Sequence, residues 1–426
     1  MDLNPPKGTR DFYPDEMRQR NWMFGMWKSV AAQYGFEEYD APVLENEDLY
    51  IRKAGEEVTQ QLYNFEDKGG RRVSLRPEMT PSLARMVMAK QRGLPLPLKW
   101  YSLPQCWRYE RMTRGRRREH FQWNMDIWGV AGVTAEAELL SAITSFFEQV
   151  GLTSNDIGIK VNSRGAIQEI LLGLGVPEEK FAQTCVLVDK LEKMPREAIE
   201  KEMQAVGLEM PVIDRILEVL QTKDLDAMQE LVGKDSKALG ELRNLFDLAE
   251  AYGYKDWLVF DASVVRGLAY YTGIVFEGFD RKGEFRAICG GGRYDKLLGS
   301  FGGEALPAVG FGFGDAVIAE LLMAKGKMPS FASPNIPVVV SAFETALQPV
   351  AAKVASKLRG AGLDVDLMLD VKKPKQILKH TDRVGASYWV SVAPTEWKDE
   401  RVVLKNLNSK DQTDLSIDEL VEKLTP

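Results

Sequence analysis

Six arginines lie within the eleven positions 108–118, and Glu110 is the one acid among them. Arginine presents a planar fork of N–H donors that matches phosphate oxygens, so a loop carrying several of them could hold a polyphosphate and stabilise charge that develops on it. On a strand, Arg108 and Glu110 would share one face and place a cation beside a hydrogen-bond acceptor. That geometry favours a site, although a solvated basic patch without a ligand fits the spacing about equally well.

Two further groups of residues could bind a small ligand that carries an amine. Carboxylates and amides accept hydrogen bonds from an ammonium group, and the stretches 76–80 and 122–126 supply such side chains as the first group. The second group is Arg266 with Tyr270 and Tyr271. A single Arg beside paired aromatic residues usually means packing with a cation–π contact, so a binding role for it depends on partners such as those of the first group.

Two glycine-rich stretches, 289–295 and 310–314, follow these residues. Neither contains the Gly-Lys-Ser/Thr of a phosphate-binding P-loop, and the second misses the spacing of the dinucleotide-binding fingerprint. Alternating Gly and Phe is typical of a strand packed tightly under something flat. The flat object could be another element of the fold or a nucleobase, and the residues alone favour the former.

Composition excludes several classes of protein. The 426 residues are 45% hydrophobic and 27% charged, and the longest apolar runs fall far below the roughly 18–20 residues that cross a bilayer, so no membrane partner is predicted. Three widely spaced Cys and two His predict neither a disulfide framework nor a metal site built from protein side chains. The first residues lack the apolar segment of a signal peptide and the character of a transit peptide, which predicts a cytoplasmic protein.

The elements that must position these residues follow from apolar periodicity. A helix is predicted at 16–34 with Asp15 as its N-cap, and another at 81–90. Leu-, Glu- and Lys-rich segments at 166–255 predict an inserted helical subdomain. Strands are predicted at 36–44, 73–77, 98–103, 105–111, 120–130, 257–260, 273–279 and 285–289, with a hairpin around the Arg-rich loop.

The C-terminal part of the chain has a different pattern. A Pro-rich stretch near 328–334 predicts a linker, and regular alternation of strands and helices beyond it predicts a small α/β domain with a mixed or parallel sheet. The predicted strands are 337–341, 364–369, 388–392 and 401–404, and the predicted helices are 346–360, 374–384 and 417–424.

In order and spacing, these blocks resemble the class II aminoacyl-tRNA synthetases, and among them the histidyl-tRNA synthetases, over essentially the whole chain. Lys-Gly-Thr-Arg-Asp at 7–11 is similar to the N-terminal signature of that family, and the first helix with the strand through Pro42 to its dimer-forming motif 1. Arg108-Tyr109-Glu110 with the loop to Phe121 is similar to motif 2. Arg-Gly-Leu-Ala-Tyr-Tyr-Thr-Gly at 266–273 is similar to the histidine-specific block, and residues 290–294 with 307–314 to the approach to motif 3.

The resemblance implies an α+β catalytic domain at 1–325, in which helices flank an antiparallel sheet, with the helical insertion at about 166–255. It also implies a linker at 326–333 and an α/β anticodon-binding domain at 334–426. The implied activity is that of a histidine–tRNA ligase: L-histidine and ATP form histidyl-adenylate and pyrophosphate, and the histidyl group then moves to the 3′ end of tRNA(His). Mg²⁺ on the pyrophosphate oxygens and a homodimer are implied as well.

The resemblance also assigns residues. Arg108 and Arg266 are implied as catalytic residues that contact the α-phosphate. The implied ATP-binding residues are Arg108, Glu110, Arg116 and Arg118. The implied histidine-binding residues are Glu78, Thr80, Arg108, Gln122, Asp126, Arg266, Tyr270 and Tyr271.

Three positions depart from the family pattern. Met79 stands where many members have Gly, and Asp126 is one methylene shorter than the more usual Glu. In motif 3, Val317 stands in the place of an arginine, and we expect Arg114 or Arg117 of the motif 2 loop to compensate. The missing arginine keeps open the alternative of a non-catalytic, synthetase-like regulatory or tRNA-sensing protein.

Charge is unevenly distributed along the chain. The net charge is −7, and residues 166–255 alone hold 11 Lys+Arg and 18 Asp+Glu, so the rest of the chain is neutral. Local basic patches can therefore bind a polyanion. The predicted tRNA-binding patch on a C-terminal helix comprises Lys372, Lys373, Lys375, Lys379 and Arg383; a solvated helix face is the alternative.

Overall fold

The structure is a computed structural model and describes residues 3–51, 60–113, 115–188, 191, 194–232, 236–265, 270–331 and 336–425. Two predicted residues, Arg114 and Arg266, lie outside the described residues. The chain divides into two compact units, Met1–Pro329 and Ser330–Pro426. None of the described helices is long and apolar enough to cross a membrane.

The first unit contains a mixed main sheet and a smaller three-stranded sheet. Its strands are β1 (Glu37–Glu38), β2 (Leu44–Asn46), β3 (Tyr63–Glu66), β4 (Arg72–Leu75), β5 (Leu98–Ser102), β6 (Gln105–Trp107), β7 (Glu119–Trp128), β8 (Ile157–Ser163), β9 (Leu258–Phe260), β10 (Ile274–Asp280), β11 (Cys289–Arg293) and β12 (Ala308–Gly314). The main sheet has the order β1-β5-β7-β12-β11-β10-β8-β9, and β6 pairs with β7 as the predicted hairpin. Neighbours are antiparallel except β1 with β5 and β8 with β9 at the two edges.

Helices flank this sheet, as predicted. They are α1 (Pro14–Gln33), α2 (Asp48–Ile51), α3 (Thr80–Lys90), α4 (Thr134–Gln149), α5 (Arg164–Gly173), α6 (Phe181–Val188), α7 (Arg196–Ala205), α8 (Met210–Val219), α9 (Leu225–Val232), α10 (Lys237–Tyr252), α11 (Leu297–Ser300) and α12 (Asp315–Ala324). Between β8 and β9 the described elements, α5 to α10, are all helical, which agrees with the helical segment predicted there.

The two faces of the sheet differ because side chains alternate along each strand. Trp123 of β7 and Phe313 of β12 point to one face and pack against Trp27 of α1, with ring centroids 6.0 and 5.7 Å from the Trp27 ring. Phe146 of α4 completes this aromatic core, 5.3 Å from Phe313. The opposite face of the sheet therefore carries the polar side chains of β7 and the glycine positions of β12.

Several local predictions were wrong. Asp15 does not cap α1, because the helix begins at Pro14, a residue that suits the first helical position, and Tyr13 is its N-cap. The predicted strand 105–111 ends at Trp107, so Arg108 and Glu110 do not share a strand face. The predicted strand 285–289 is displaced, because the glycine cluster itself forms β11.

Close packing explains why glycines form a central strand. A Cβ atom on Gly291 would lie 2.7 Å from both Phe276 Cζ and Phe311 Cβ and would overlap the carbonyl oxygen of Gly310. Glycine weakens a strand by itself, but it fits where neighbouring backbone and side chains approach this closely. The predicted strand ended at residue 289, whereas tertiary packing makes the glycines that follow it a strand.

The second unit is a small α/β domain with a mixed sheet. Its strands are β13 (Val338–Ala342), β14 (Val365–Leu367), β15 (Tyr388–Val392), β16 (Val402–Asn406) and β17 (Gln412–Leu415); its helices are α13 (Gln348–Gly360), α14 (Pro374–Val384), α15 (Pro394–Trp397) and α16 (Ile417–Leu424). The sheet order is β14-β13-β15-β16-β17, parallel in its first half and antiparallel in its second. The prediction missed β17.

Candidate active site

Glycines of β11 and β12 form the floor of a site on the polar face of the sheet. Along β12, three glycines stand opposite three polar residues of β7: Gly310 opposite Asp126, Gly312 opposite Asn124, and Gly314 opposite Gln122. On the other side, Gly290 and Gly292 pair with Gly312 and Gly310. The floor is thus free of side chains over two neighbouring strands, and the polar side chains of β7 extend over it.

Two amides converge over one part of this floor. A Cβ atom on Gly312 would lie 3.3 Å from Asn124 Nδ2 and 3.4 Å from Gln122 Oε1. Asn124 Nδ2 donates to the carbonyl oxygen of Phe311 at 3.1 Å. The sequence prediction did not assign Asn124, although the period of two between Gln122 and Asp126 places it on the same face.

The predicted imidazole-binding acid is buried at one end of the floor. Asp126 is 2% exposed, and Oδ1 accepts a hydrogen bond from the hydroxyl of Tyr294. Burial raises the pKa of the Asp126 carboxyl to about 7, and the hydrogen bond from Tyr294 acts in the opposite direction. The carboxyl of Asp126 therefore changes protonation state near neutral pH.

A second buried acid lies beside the paired tyrosines. The hydroxyl of Tyr270 donates to Glu78 Oε2 at 2.7 Å and is also hydrogen-bonded to the side chain of Thr80, the first residue of α3. The Tyr270 ring lies 5.0 Å from that of Tyr271 and 5.9 Å from that of Tyr294. The structure thus brings together Glu78, Thr80 and Tyr270 directly, and links them through Tyr294 to Asp126.

A cavity of about 190 Å³ opens over the other end of the floor. Its floor is Gly290, Gly312 and Gly314, its α12 wall is Asp315 to Val317, and Gln122 and His120 line it from β7. The lining residues that carry charge from the motif 2 loop are Arg108, Glu110, Arg116 and Arg117. Gln122 is common to this cavity and to the polar row over the floor, so the two ends form one continuous site.

The arginines of the loop are held in different ways. Arg108 Nε donates to the carbonyl oxygen of Pro77 at 3.0 Å, which ties the cavity to the segment carrying Glu78. Arg116 forms an ion pair with Glu110, which is buried. Three guanidinium groups near one cavity create a strongly positive field that suits a polyphosphate.

Arg118 is placed differently from its prediction as an ATP-binding residue. Its guanidinium lies 3.9 Å from the centroid of the Tyr109 ring, and Nε donates to the carbonyl oxygen of Glu110 at 3.3 Å. It is not among the residues that line the cavity, whereas its neighbour Arg117 is. Arg118 thus lies against the exposed Tyr109 ring, and its assignment to ATP stays a prediction.

His120 is uncharged at the cavity wall. Burial, together with the nearby charges of Arg108, Arg10 and Arg116, lowers the pKa of its imidazole to about 3. An imidazole with that pKa is deprotonated at neutral pH and at every pH well above 3.

Val317 presents an aliphatic side chain where the family pattern has an arginine. It lies between the main cavity and an adjoining hollow lined by Glu284, Arg286 and Glu320, and both spaces share Gly115 and Val317. Of the two arginines expected to compensate, Arg117 lines the cavity, and Arg114 lies outside the described residues.

Comparison with known proteins places the chain in a family. A family model described as histidyl-tRNA synthetase matches residues 8–314, and one described as anticodon binding domain matches residues 337–425. The chain belongs to the histidyl-tRNA synthetase family. The resemblance stated from the sequence is thereby confirmed, and so is the α+β fold class with a C-terminal α/β domain.

Individual relatives agree with this membership. The histidine–tRNA ligase of Arabidopsis thaliana named chloroplastic/mitochondrial is 55% identical over 99% of this chain and 86% of its own length. The histidine–tRNA ligase of Opitutus terrae is 42% identical over 96% of this chain and 94% of its own length. The crystal structure of histidyl-tRNA synthetase from Nostoc sp. PCC 7120 has a TM-score of 0.76 at 24% identity, covering 99% of both chains, which supports the fold.

In this member of the histidyl-tRNA synthetase family, the basic patch predicted to bind tRNA is exposed. All five residues, Lys372, Lys373, Lys375, Lys379 and Arg383, are exposed on α14 or just before it. Lys372 Nζ lies 3.3 Å from a carboxylate oxygen of Asp370, and Arg383 donates to His380 Nδ1 at 2.8 Å. Lys373 and Lys375 lie at the N-terminal end of α14, and Lys379 lies in its middle.

Proposed function

We propose that this chain is a histidine–tRNA ligase that activates L-histidine with ATP and then transfers the histidyl group to tRNA(His). The observation that carries the proposal is the continuous glycine floor. It joins an arginine-lined cavity to a buried pocket in which Glu78 and Asp126 are bonded to phenols, so two substrates can lie end to end on one surface. Curated relatives of high identity over nearly the full chain carry the same activity in their names.

The first step is attack by a carboxylate oxygen of histidine on the α-phosphorus of ATP. A new P–O bond forms, the bond to the bridging oxygen breaks, and pyrophosphate leaves with the electron pair. Two anions approach each other in this step, so cations that neutralise the phosphate and hold both groups in line supply most of the catalysis. Arg108 lines the cavity at the junction with the Glu78 segment and is assigned this role, together with Arg266.

The second step transfers the histidyl group. A hydroxyl at the 3′ end of tRNA attacks the acyl carbon of the adenylate, its C–O bond forms, and AMP leaves. Because AMP is a good leaving group, positioning of the RNA end over the floor is the main requirement.

The assigned pocket residues have chemistry that suits histidine. Glu78, Thr80 and Gln122 offer acceptors for the α-ammonium group. Asp126, with Tyr270 and Tyr271 nearby, suits an imidazole, which has one ring nitrogen that donates and one that accepts. A buried polar site of this kind also rejects amino acids that would leave its groups unpaired.

Glu110, Arg116 and Arg117 are assigned to ATP, with Glu110 at the adenine and the arginines at the phosphates. Mg²⁺ would enter with the nucleotide, held by phosphate oxygens and water, as is usual for this ion. The cavity can accept an anionic nucleotide because both of its carboxylates are neutralised by ion pairs. Glu110 pairs with Arg116, and Asp315 pairs with Arg10.

Two assembly partners belong to the proposal. The basic patch on α14 is assigned to tRNA, because lysine side chains are attracted to the negatively charged phosphates of RNA. A homodimer is proposed through α1 and the segment through Pro42, which are similar in sequence to the dimer-forming motif 1. The cytoplasmic location stays a prediction, since the Arabidopsis relative is named chloroplastic/mitochondrial.

The alternative is a non-catalytic synthetase-like protein, and the aliphatic Val317 is the observation that favours it. Pyrophosphate exchange into ATP separates the two functions. We expect exchange that depends on added histidine; exchange absent with histidine present would support the alternative.

A further inference from the structure

Arg10, from the N-terminal signature, forms an ion-pair bridge that the proposed reaction does not explain. Its Nη2 atom lies 2.9 Å from Asp315 Oδ2 and 3.4 Å from Glu119 Oε1. Asp315 Oδ1 in turn accepts the backbone N–H of Phe121 at 3.0 Å. The side chains of Arg10, Glu119 and Asp315 are 18, 2 and 4% exposed, so water screens this bridge only weakly.

The two acids begin two elements that both line the cavity. Glu119 is the first residue of β7, which contributes His120 and Gln122, and Asp315 is the first residue of α12, which contributes Val317. Arg10 does not itself line the cavity. It joins the two walls from outside the space that a nucleotide would occupy.

The backbone beside Arg10 fixes the same wall. The carbonyl oxygen of Gly8 accepts the N–H groups of Arg118 and Glu119 at 3.1 and 3.2 Å. Gly8 has φ +90°, and a Cβ atom there would lie 2.7–2.9 Å from the Arg118 side chain. Glycine is therefore required here on two counts, and the N-terminal segment is held against the end of the motif 2 loop.

Removing the guanidinium would leave two buried carboxylates near each other without a cation. Such a pair relieves repulsion by taking up a proton or by moving apart. Movement of either acid would carry the start of β7 or of α12 with it. The width of the cavity therefore depends on Arg10.

We propose that Arg10 is a positioning residue that sets the spacing of the nucleotide-binding walls through Glu119 and Asp315. The inference rests on the proposed function in assigning ATP to this cavity. Because Val317 replaces the arginine of the family pattern, the start of α12 lacks one positive charge. The ion pair between Arg10 and Asp315 holds the start of this helix in place.

The test compares Arg10→Met with Lys325→Met in pyrophosphate exchange. The control removes an ion pair at the other end of α12, where Lys325 is as exposed as Arg10 and its Nζ lies 2.8 Å from Asp156 Oδ1. We expect Arg10→Met to raise the KM for ATP about tenfold, which corresponds to about 1.4 kcal/mol, and to change the KM for histidine less than twofold. Arg10→Lys should recover part of the loss, and Lys325→Met should leave both KM values unchanged.

Further variants separate positioning from general destabilisation. In an Asp315→Asn background, Arg10→Met should raise the KM for ATP less than in the wild type, because the nearer of the two acidic partners is already neutral and only Glu119 is left without a cation. Equal rises in both KM values, or a lowered Tm with an unchanged KM for ATP, would overturn the inference. If the wild type gives no histidine-dependent exchange, the proposed function fails, while ATP affinities of the same variants measured by calorimetry still decide the role of Arg10.

Discussion

The carboxyl group of Asp126 occupies the space that a side chain at Gly310 would need, because the two residues face each other across β7 and β12. The relationship gives a physical reason for glycine at this point of the sheet. The hydroxyl of Tyr294 donates to the same carboxyl and would itself lie 2.9 Å from a Cβ atom on Gly310. The position of the Asp126 carboxyl in the amino-acid pocket therefore depends on residue 310 having no Cβ atom.

Gly310→Ala should impair histidine recognition selectively. The added methyl group would push the Asp126 carboxyl away from Tyr294, so we expect the KM for histidine to rise about tenfold or more, which is about 1.4 kcal/mol. The KM for ATP should change less than twofold. Gly240→Ala is the matched control, because a Cβ atom there, in α10, meets nothing within 4 Å. Equal effects of both variants would contradict the prediction.

Histidine use should depend on pH through Asp126. Its pKa is raised to about 7 by burial, so the carboxyl is protonated below that pH and becomes a full acceptor for an imidazole N–H above it. We expect kcat/KM for histidine to rise with pH through about 7. Free histidine itself titrates near pH 6.5, and the profile of Asp126→Asn isolates that contribution. Identical profiles for the two proteins would refute the assignment.

Tyr294→Phe provides an independent check on the same group. The hydrogen bond from Tyr294 lowers the pKa of Asp126, so its loss should move the midpoint of the pH profile to higher pH. A shift to lower pH would show that another group governs the profile.

The missing arginine at Val317 makes the motif 2 loop the expected source of compensating charge. Arg117 lines the cavity, so Arg117→Ala should raise the KM for ATP about five- to tenfold, as expected for the loss of a charge-assisted hydrogen bond. Arg111→Ala is the control, since that arginine is exposed and does not line the cavity. Arg114→Ala belongs to the same experiment, and unchanged KM values for both Arg114→Ala and Arg117→Ala would refute compensation by this loop.

Replacing Lys372, Lys373 and Lys375 together by Glu should raise the KM for tRNA at least tenfold while leaving pyrophosphate exchange unchanged. Reversing three charges near an RNA backbone turns attraction into repulsion, and the effect should shrink as salt rises. The charge-matched control replaces the exposed Lys353, Lys357 and Lys398 of the same unit by Glu. Equal loss in both reactions, or equal effects of both triple variants on tRNA, would contradict the assignment of the patch.

Periodicity and family resemblance predicted the fold well where elements are regular. The bounds predicted for α14 and α16 agree with the structure to the residue, because an amphipathic stripe and clear end signals define them. The strand at β11 was misplaced because glycine is locally a turn residue, and only the neighbouring Gly310 and Phe276 make it obligatory in the sheet.

The site was predicted as a set of residues, not as a geometry. The family resemblance assigned Glu78, Asp126 and Tyr270 to histidine. In the structure Tyr270 is hydrogen-bonded to Glu78, and its ring contacts that of Tyr294, which is hydrogen-bonded to Asp126. The sequence could not show that Arg118 stacks on Tyr109, because the contacts of six arginines in one segment cannot be distinguished before the conformation of the loop is known. Nor could it find the bridge of Arg10, whose partners are 109 and 305 residues away along the chain.

Histidine-dependent exchange of pyrophosphate into ATP tests the central claim most directly. The wild type should exchange label only when histidine and Mg²⁺ are present, and Arg108→Ala should reduce the rate about a hundredfold or more, as expected when a cation at a reacting phosphate is lost. Exchange that is absent with histidine, or that proceeds equally without it, would contradict the account of this chain as a histidine–tRNA ligase.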